Sequence, residues 1–147
     1  MRALGIDYGH KRIGLALSDA TGLLARPWKT IAREGSLAQV ASTLAELVRT
    51  LSAETDGLGS VVIGLPRRLN GEPSEQTPVV EQLVSRLRPL VLVPVVTQDE
   101  RLTSREAESV LARREPDWRK RKAQLDAAAA AIILQDYLDN QPRGSEA

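Results

Sequence analysis

The chain has 147 residues, 42% of them apolar and 27% charged, and a net charge of +1, which suits one domain with a proper core. No apolar run approaches a membrane span, so no membrane association is expected. It has no cysteine and a single histidine, His10, which excludes disulfides, thiolate zinc and a multi-histidine centre; a metal would have to be held by carboxylates, favouring Mg²⁺ or Mn²⁺.

The opening "MRALGIDYG" lacks the charged-then-apolar layout of a signal peptide, and a cytoplasmic location is expected. Residues 3–7 and 12–18 alternate apolar with small or polar side chains, and the connector "YGHK" supplies a glycine, so the pair reads as a β-hairpin. A third strand fits 24–31, after the "DATG" turn. Apolar residues at helical spacing predict a helix over 36–53 with Ser36 as N-cap. "SVVIGLP", 60–66, is a short unbroken apolar run and reads as a strand buried on both faces. A helix follows near 75–88, and "LVLVPVVTQ", 90–98, reads as a second buried strand. Thr103 and Glu106 form a capping-box pair for a helix running to about Arg113. "LDAAAAAIILQDYLD" is a strong helix, and the domain is expected to end near 139, with 140–147 as a frayed tail. Three antiparallel-type strands followed by alternating helices and strands imply an α/β fold, a mixed five-stranded sheet covered on both faces.

Chemistry in such sheets gathers beyond the strand C-termini. Asp7 ends the first strand, Asp99 and Glu100 follow the last, and Asp126 opens the alanine-rich helix. Each has an ordinary reading: a turn residue for Asp7, a cap or a partner of Arg101 for Asp99 and Glu100, a dipole-stabilising cap for Asp126. Together they point further. Three carboxylates converging on one edge could not all stay ionised without a cation. One or two Mg²⁺ ions resolve that conflict and create a phosphodiester-cleaving site.

Four stretches, "LGIDYGHKRIGLALSD", "VIGLPRRLNG", "VTQDERLTSREAE" and "LDAAAAAIILQDYL", resemble in order and spacing the YqgF (RuvX) family over nearly the whole chain. The resemblance implies an RNase H-like fold related to the RuvC Holliday junction resolvases. It also implies a Mg²⁺- or Mn²⁺-dependent nuclease that matures the precursor of small-subunit ribosomal RNA or resolves branched DNA. Carried over by motif, the catalytic and metal-binding acids are Asp7, Glu100 and Asp126, with Asp99 a weaker candidate. RuvC-type enzymes carry four acids, one at the end of the fourth strand. Here that strand ends "IGLPRR" without one, which leaves the number of metal ions open.

Nucleic acid, structured RNA or branched DNA, is the expected partner. Residues 113–122, "RREPDWRKRK", hold six basic and two acidic side chains, against a surplus of acids elsewhere. Arg119, Lys120, Arg121 and Lys122 are therefore candidate phosphate contacts, a solvated loop of charges being the plainer reading. His10, Lys11 and Arg12 sit beside Asp7, Arg101 beside Glu100, and Arg67 and Arg68 on a loop near the same edge; all are candidate nucleic-acid contacts. Aromatic residues are only 3%, so backbone contacts should outweigh base stacking. Symmetric resolution of a two-fold junction would favour a homodimer, although no seam for one is legible. Two rival classes are an ATP-binding domain of the actin or sugar-kinase kind, which needs two such domains, and a non-catalytic nucleic-acid-binding factor in transcription or ribosome assembly.

Overall fold

A computed structural model describes residues 1–68, 70–100 and 118–141, with the backbone alone for 118–123. Five strands, β1 (Arg2–Tyr8), β2 (Arg12–Ser18), β3 (Ala25–Ala32), β4 (Leu58–Leu65) and β5 (Val95–Asp99), form one mixed sheet in the order β3-β2-β1-β4-β5. β1–β2 and β2–β3 pair antiparallel, while β4 runs parallel to both β1 and β5. Helices α1 (Leu37–Ala53) and α2 (Thr77–Leu87) supply the crossovers that parallel pairing requires.

Alternation along the strands divides the core in two. Leu4, Ile6, Ile13, Leu15, Val61 and Ile63 face α1 and α2. Ala3, Ala16 and Val62 face α3 (Trp118–Asp139), which covers the other side of the sheet. The expected two-sided coverage and the expected mixed sheet are both present. So is the Ser36 cap, which forms a full capping box with Gln39.

α3 lies unusually close to the sheet, because glycines stand where it crosses. A Cβ on Gly14 would sit 1.9 Å from the backbone oxygen of Asp126, and one on Gly5 would sit 2.9 Å from that of Ala130. On the helix side Ala127 and Ala130 are buried and add no bulk. Gln135 pins the far end: its side-chain oxygen accepts from the Ala25 amide at 2.9 Å, and its nitrogen donates to the Leu23 carbonyl at 3.0 Å.

Three expectations need correction. The run 90–98 is not one buried strand. Residues Arg88–Leu90 form a 3₁₀ turn, Leu92 is fully exposed, and pairing begins only at Val95. Pro94 has no N–H to give to a ladder, which explains the late start. β5 is also an edge of the sheet, and only its first residue is buried. Third, Asp126 does not open a helix: α3 begins at Trp118, so Asp126 lies in its third turn, and residues 119–122 are helical, not a loop. The helix expected at 103–113 lies outside the described residues. Among the described residues no helix is long and apolar enough to cross a membrane.

Candidate metal centre

β1 delivers Asp7 on the α3 side of the sheet, because Ala3, Gly5 and Asp7 alternate with the core residues Leu4, Ile6 and Tyr8. Its register partner on β2 is Gly14, whose missing side chain lets α3 approach there. Glu100 arrives from beyond β5, tied down by its own amide donating to the Leu65 carbonyl at 3.2 Å. Gly64 leaves the space that the Glu100 carboxylate fills: a Cβ there would stand 2.3 Å from Glu100 Oε2. α3 brings Asp126 to the same corner, with Asp126 Oδ1 3.7 Å from where a Gly9 Cβ would be. The three acids named from sequence thus meet on one face at one end of the sheet.

Their electrostatics differ. Asp7 and Glu100 are half-buried and hydrogen-bonded to each other. Burial, reinforced by the Asp7 charge, pushes Glu100 up to about 8. Burial and the Asp126 charge push Asp7 up to about 6, although its hydrogen bond with Glu100 works the other way. Near neutral pH the pair shares a proton, held between hard oxygen atoms. Asp126 stands apart from this pair by its partner: Arg12 Nε donates to Asp126 Oδ2 at 2.9 Å.

A proton shared by two carboxylates stands where a hard divalent cation satisfies the same oxygens, so the donor set fits Mg²⁺ or Mn²⁺. Among the described residues no three carboxylates or imidazoles are already grouped to hold an ion. Two are together, and the third is paired with Arg12. Asp99, the weaker candidate, lies one residue before Glu100 and so at the alternate position, with Val95 on the α1–α2 side. Its charge still reaches Glu100 and raises it.

The basic candidates fall into distinct situations. His10 and Lys11 are exposed at the hairpin tip beside Asp7. Arg12 is committed to Asp126. Arg67 folds back into its own loop, donating to the Gly71 carbonyl at 3.2 Å, while Arg68 is exposed. Arg119, Lys120, Arg121 and Lys122 occupy the first turns of α3 on the basis of backbone alone, and Arg101 lies outside the described residues.

Sequence reasoning missed Arg33. It closes the loop after Asp7: its Nη1 donates to the Gly9 carbonyl at 3.0 Å, its amide donates to the Lys11 carbonyl at 2.9 Å, and its guanidinium lies 4.1 Å over the Tyr8 ring. No local motif marks it; only the β2–β3 register brings the end of β3 to that loop. A groove of about 460 Å³ lined by Ile13, Ile31 and Val40 lies on the opposite face of the sheet and holds none of the predicted site residues.

Residues 1–140 match the model of the family described as "RuvX: Holliday junction resolvase". The chain belongs to the RuvX family. A protein of Syntrophus aciditrophicus, named "Putative pre-16S rRNA nuclease", is 43% identical over 139 residues, covering 95% of this chain and 89% of its own. One of the same name from Roseiflexus is 40% identical over 140 residues, covering 95% of each. Among solved structures, the fowlpox virus Holliday junction resolvase superposes with a TM-score of 0.57 at 12% identity, covering 95% of this chain and 98% of that one. That likeness establishes the RNase H-like fold of this RuvX member.

Proposed function

We propose that this RuvX protein is a cytoplasmic divalent-metal-dependent endonuclease that hydrolyses phosphodiester bonds in structured nucleic acid. The observation that carries the reading is the half-buried, hydrogen-bonded Asp7–Glu100 carboxyl pair at one end of the sheet, with Asp126 beside it. Family membership and the names carried by close relatives support the nuclease class, and they divide the substrate between precursor rRNA and branched DNA. In this reading Asp7 and Glu100 hold Mg²⁺ or Mn²⁺, joined by Asp126. A bound divalent ion supplies an activated water and charge neutralisation at the phosphoryl oxygens.

The chain's own residues do the rest. Burial that makes Asp7 and Glu100 reluctant to ionise in the absence of a cation also keeps bulk water from screening them once charged. Arg33 fixes the Gly9 backbone, so the approach beside Asp7 keeps its shape. Lys11 and His10, exposed at the hairpin tip, are placed to meet a phosphate at the mouth of the site.

One observation favours the second reading, a binding factor without catalysis: among the described residues the three acids are not already grouped as ligands. Incubating purified protein and Mn²⁺ with a labelled precursor rRNA fragment and, side by side, a four-way DNA junction separates the two. Endonucleolytic cleavage of either, abolished by a chelator, is expected. Binding of both with cleavage of neither would establish the second reading. Symmetric paired nicks in the junction would further call for a homodimer.

A further inference from the structure

Arg12, a candidate nucleic-acid contact by sequence, pairs in the structure with the candidate site acid Asp126. Arg12 Nε lies 2.9 Å from Asp126 Oδ2, with the Arg12 side chain 42% exposed and that of Asp126 23% exposed. Both ends of this contact are fixed by backbone. Arg12 opens β2, and its carbonyl accepts from the Gly9 amide at 3.0 Å. Asp126 is held in mid-helix, its carbonyl packed against Gly14 two residues beyond Arg12. The charge on Asp126 nevertheless reaches Asp7. Asp126 therefore has two cationic partners within reach of one carboxylate: the guanidinium that holds it now, and any divalent ion seated between Asp7 and Glu100.

We infer that Arg12 is a positioning residue that competes with the divalent cation for Asp126, holding this carboxylate aside in the cation-free protein and yielding it when the ion is bound. The inference rests on the metal-dependent reading above. Its physical basis is that a carboxylate oxygen cannot serve a guanidinium hydrogen bond and an inner-sphere contact with a small hard cation equally well. A half-exposed ion pair is weak enough to be exchanged.

A double-mutant cycle tests this, read as Mn²⁺ affinity by calorimetry on chelator-treated protein at fixed ionic strength. Arg12→Gln should tighten Mn²⁺ binding by about three- to tenfold, within the range of coupling between contacting residues. Asp126→Asn should weaken it. In the Asp126→Asn background, Arg12→Gln should change affinity by less than about twofold, because the competitor then has nothing to withhold. Arg12→Lys, which keeps the charge but loses the planar fork, should fall between wild type and Arg12→Gln, and it serves as the second arm if Arg12→Gln folds poorly. Equal tightening in both backgrounds would mean that Arg12 acts only as a nearby positive charge, and would overturn the inference. A fall in Tm with unchanged Mn²⁺ affinity would overturn it too, leaving a simple tie between β2 and α3. If wild type and both Arg12 variants all fail to bind Mn²⁺ at millimolar concentration, the metal-dependent reading itself falls; binding by an Arg12 variant but not by wild type would support the inference strongly.

Discussion

Replacing Asp7 by Asn keeps the shape of the side chain and removes its charge, so it separates a ligand from a turn residue. Loss of an inner ligand to a catalytic ion removes several kcal/mol of transition-state stabilisation, and cleavage by Asp7→Asn should fall by at least ~10³-fold. The variant should fold at least as well as wild type without cations, because the residue it neutralises is half-buried with its pKa raised. Retained activity per folded molecule would refute the role. pH acts on the same pair. The folded chain holds protons on Asp7 to about 6 and on Glu100 to about 8, above their ordinary 3.8 and 4.5. A carboxyl whose folded pKa is raised stabilises fully below its unfolded pKa, and that stability is lost as pH rises through the folded value. The Tm of cation-free protein should therefore fall between about pH 4 and pH 8, and Glu100→Gln should flatten most of that fall in a thermal-melt series. Glycine substitutions distinguish packing from chemistry. Gly14→Ala drives a methyl into the helix backbone and should cost about 1–3 kcal/mol or more in denaturant unfolding. Gly64→Ala meets only side-chain ends, those of Glu100 and Ile133, so stability should suffer less while Mn²⁺ affinity drops.

At the scale of elements, α3 joins two things that the sequence kept separate. Its first turns carry Arg119, Lys120, Arg121 and Lys122, and its third turn carries Asp126. A basic segment rigidly continuous with a site acid can set where a phosphate backbone enters relative to that acid, which a loop could not. Four consecutive helical positions spread around a full turn of 3.6 residues, so about two of them can meet one backbone at once. Changing all four to Gln should then lower the slope of log affinity against log salt by about 2, at roughly 0.9 per phosphate contact on duplex DNA. Cleavage at saturating substrate should change far less than affinity. An unchanged slope would move the substrate track elsewhere, towards Lys11 and Arg68 at the exposed rim.

For the whole molecule, a ligand that binds only the folded state raises Tm by mass action, and Mg²⁺ or Mn²⁺ should do so here. At a hundred times Kd the gain is about 2.7 kcal/mol, which at roughly 2–4 °C per kcal/mol for a chain of this size is a shift of about 5–10 °C. No shift at millimolar cation would count against the site. Much of this architecture was legible in the chain itself. Asp7 and Glu100 could be placed because strand ends are marked by alternation and by the end of apolar runs, and a sheet brings such ends to one edge. Asp126 stands out in sequence beside its alanine run, but its expected place at the start of the helix is wrong: it lies in the third turn. "WRKRKAQ" has good helix formers and no stop signal, yet its charge density resembles a loop. The strand at 90–98 was overread because an apolar run cannot by itself report where pairing begins; Pro94 decides that. Arg33 and the Arg12–Asp126 pair were invisible for another reason. Each depends on residues brought together by strand register or by helix docking, 24 positions apart for Arg33 and Gly9 and 114 for Arg12 and Asp126.

The bare contact of α3 on Gly5 and Gly14 has a consequence for how the molecule opens. Where the α3 backbone rests on these glycines no interposed side chain can loosen first, and Ile133, Leu134 and Leu138 are buried in the same interface, so a partial detachment of α3 would leave an unfilled slot along β1 and β2. Native-state amide exchange should therefore find Ala127–Leu134 and the central residues of β1 and β2 opening in a single cooperative unit at the free energy of global unfolding, while β3 and the turn before it exchange sooner. The carboxylate corner then has the lifetime of the whole fold: it is present in every folded molecule and in none that has begun to open there.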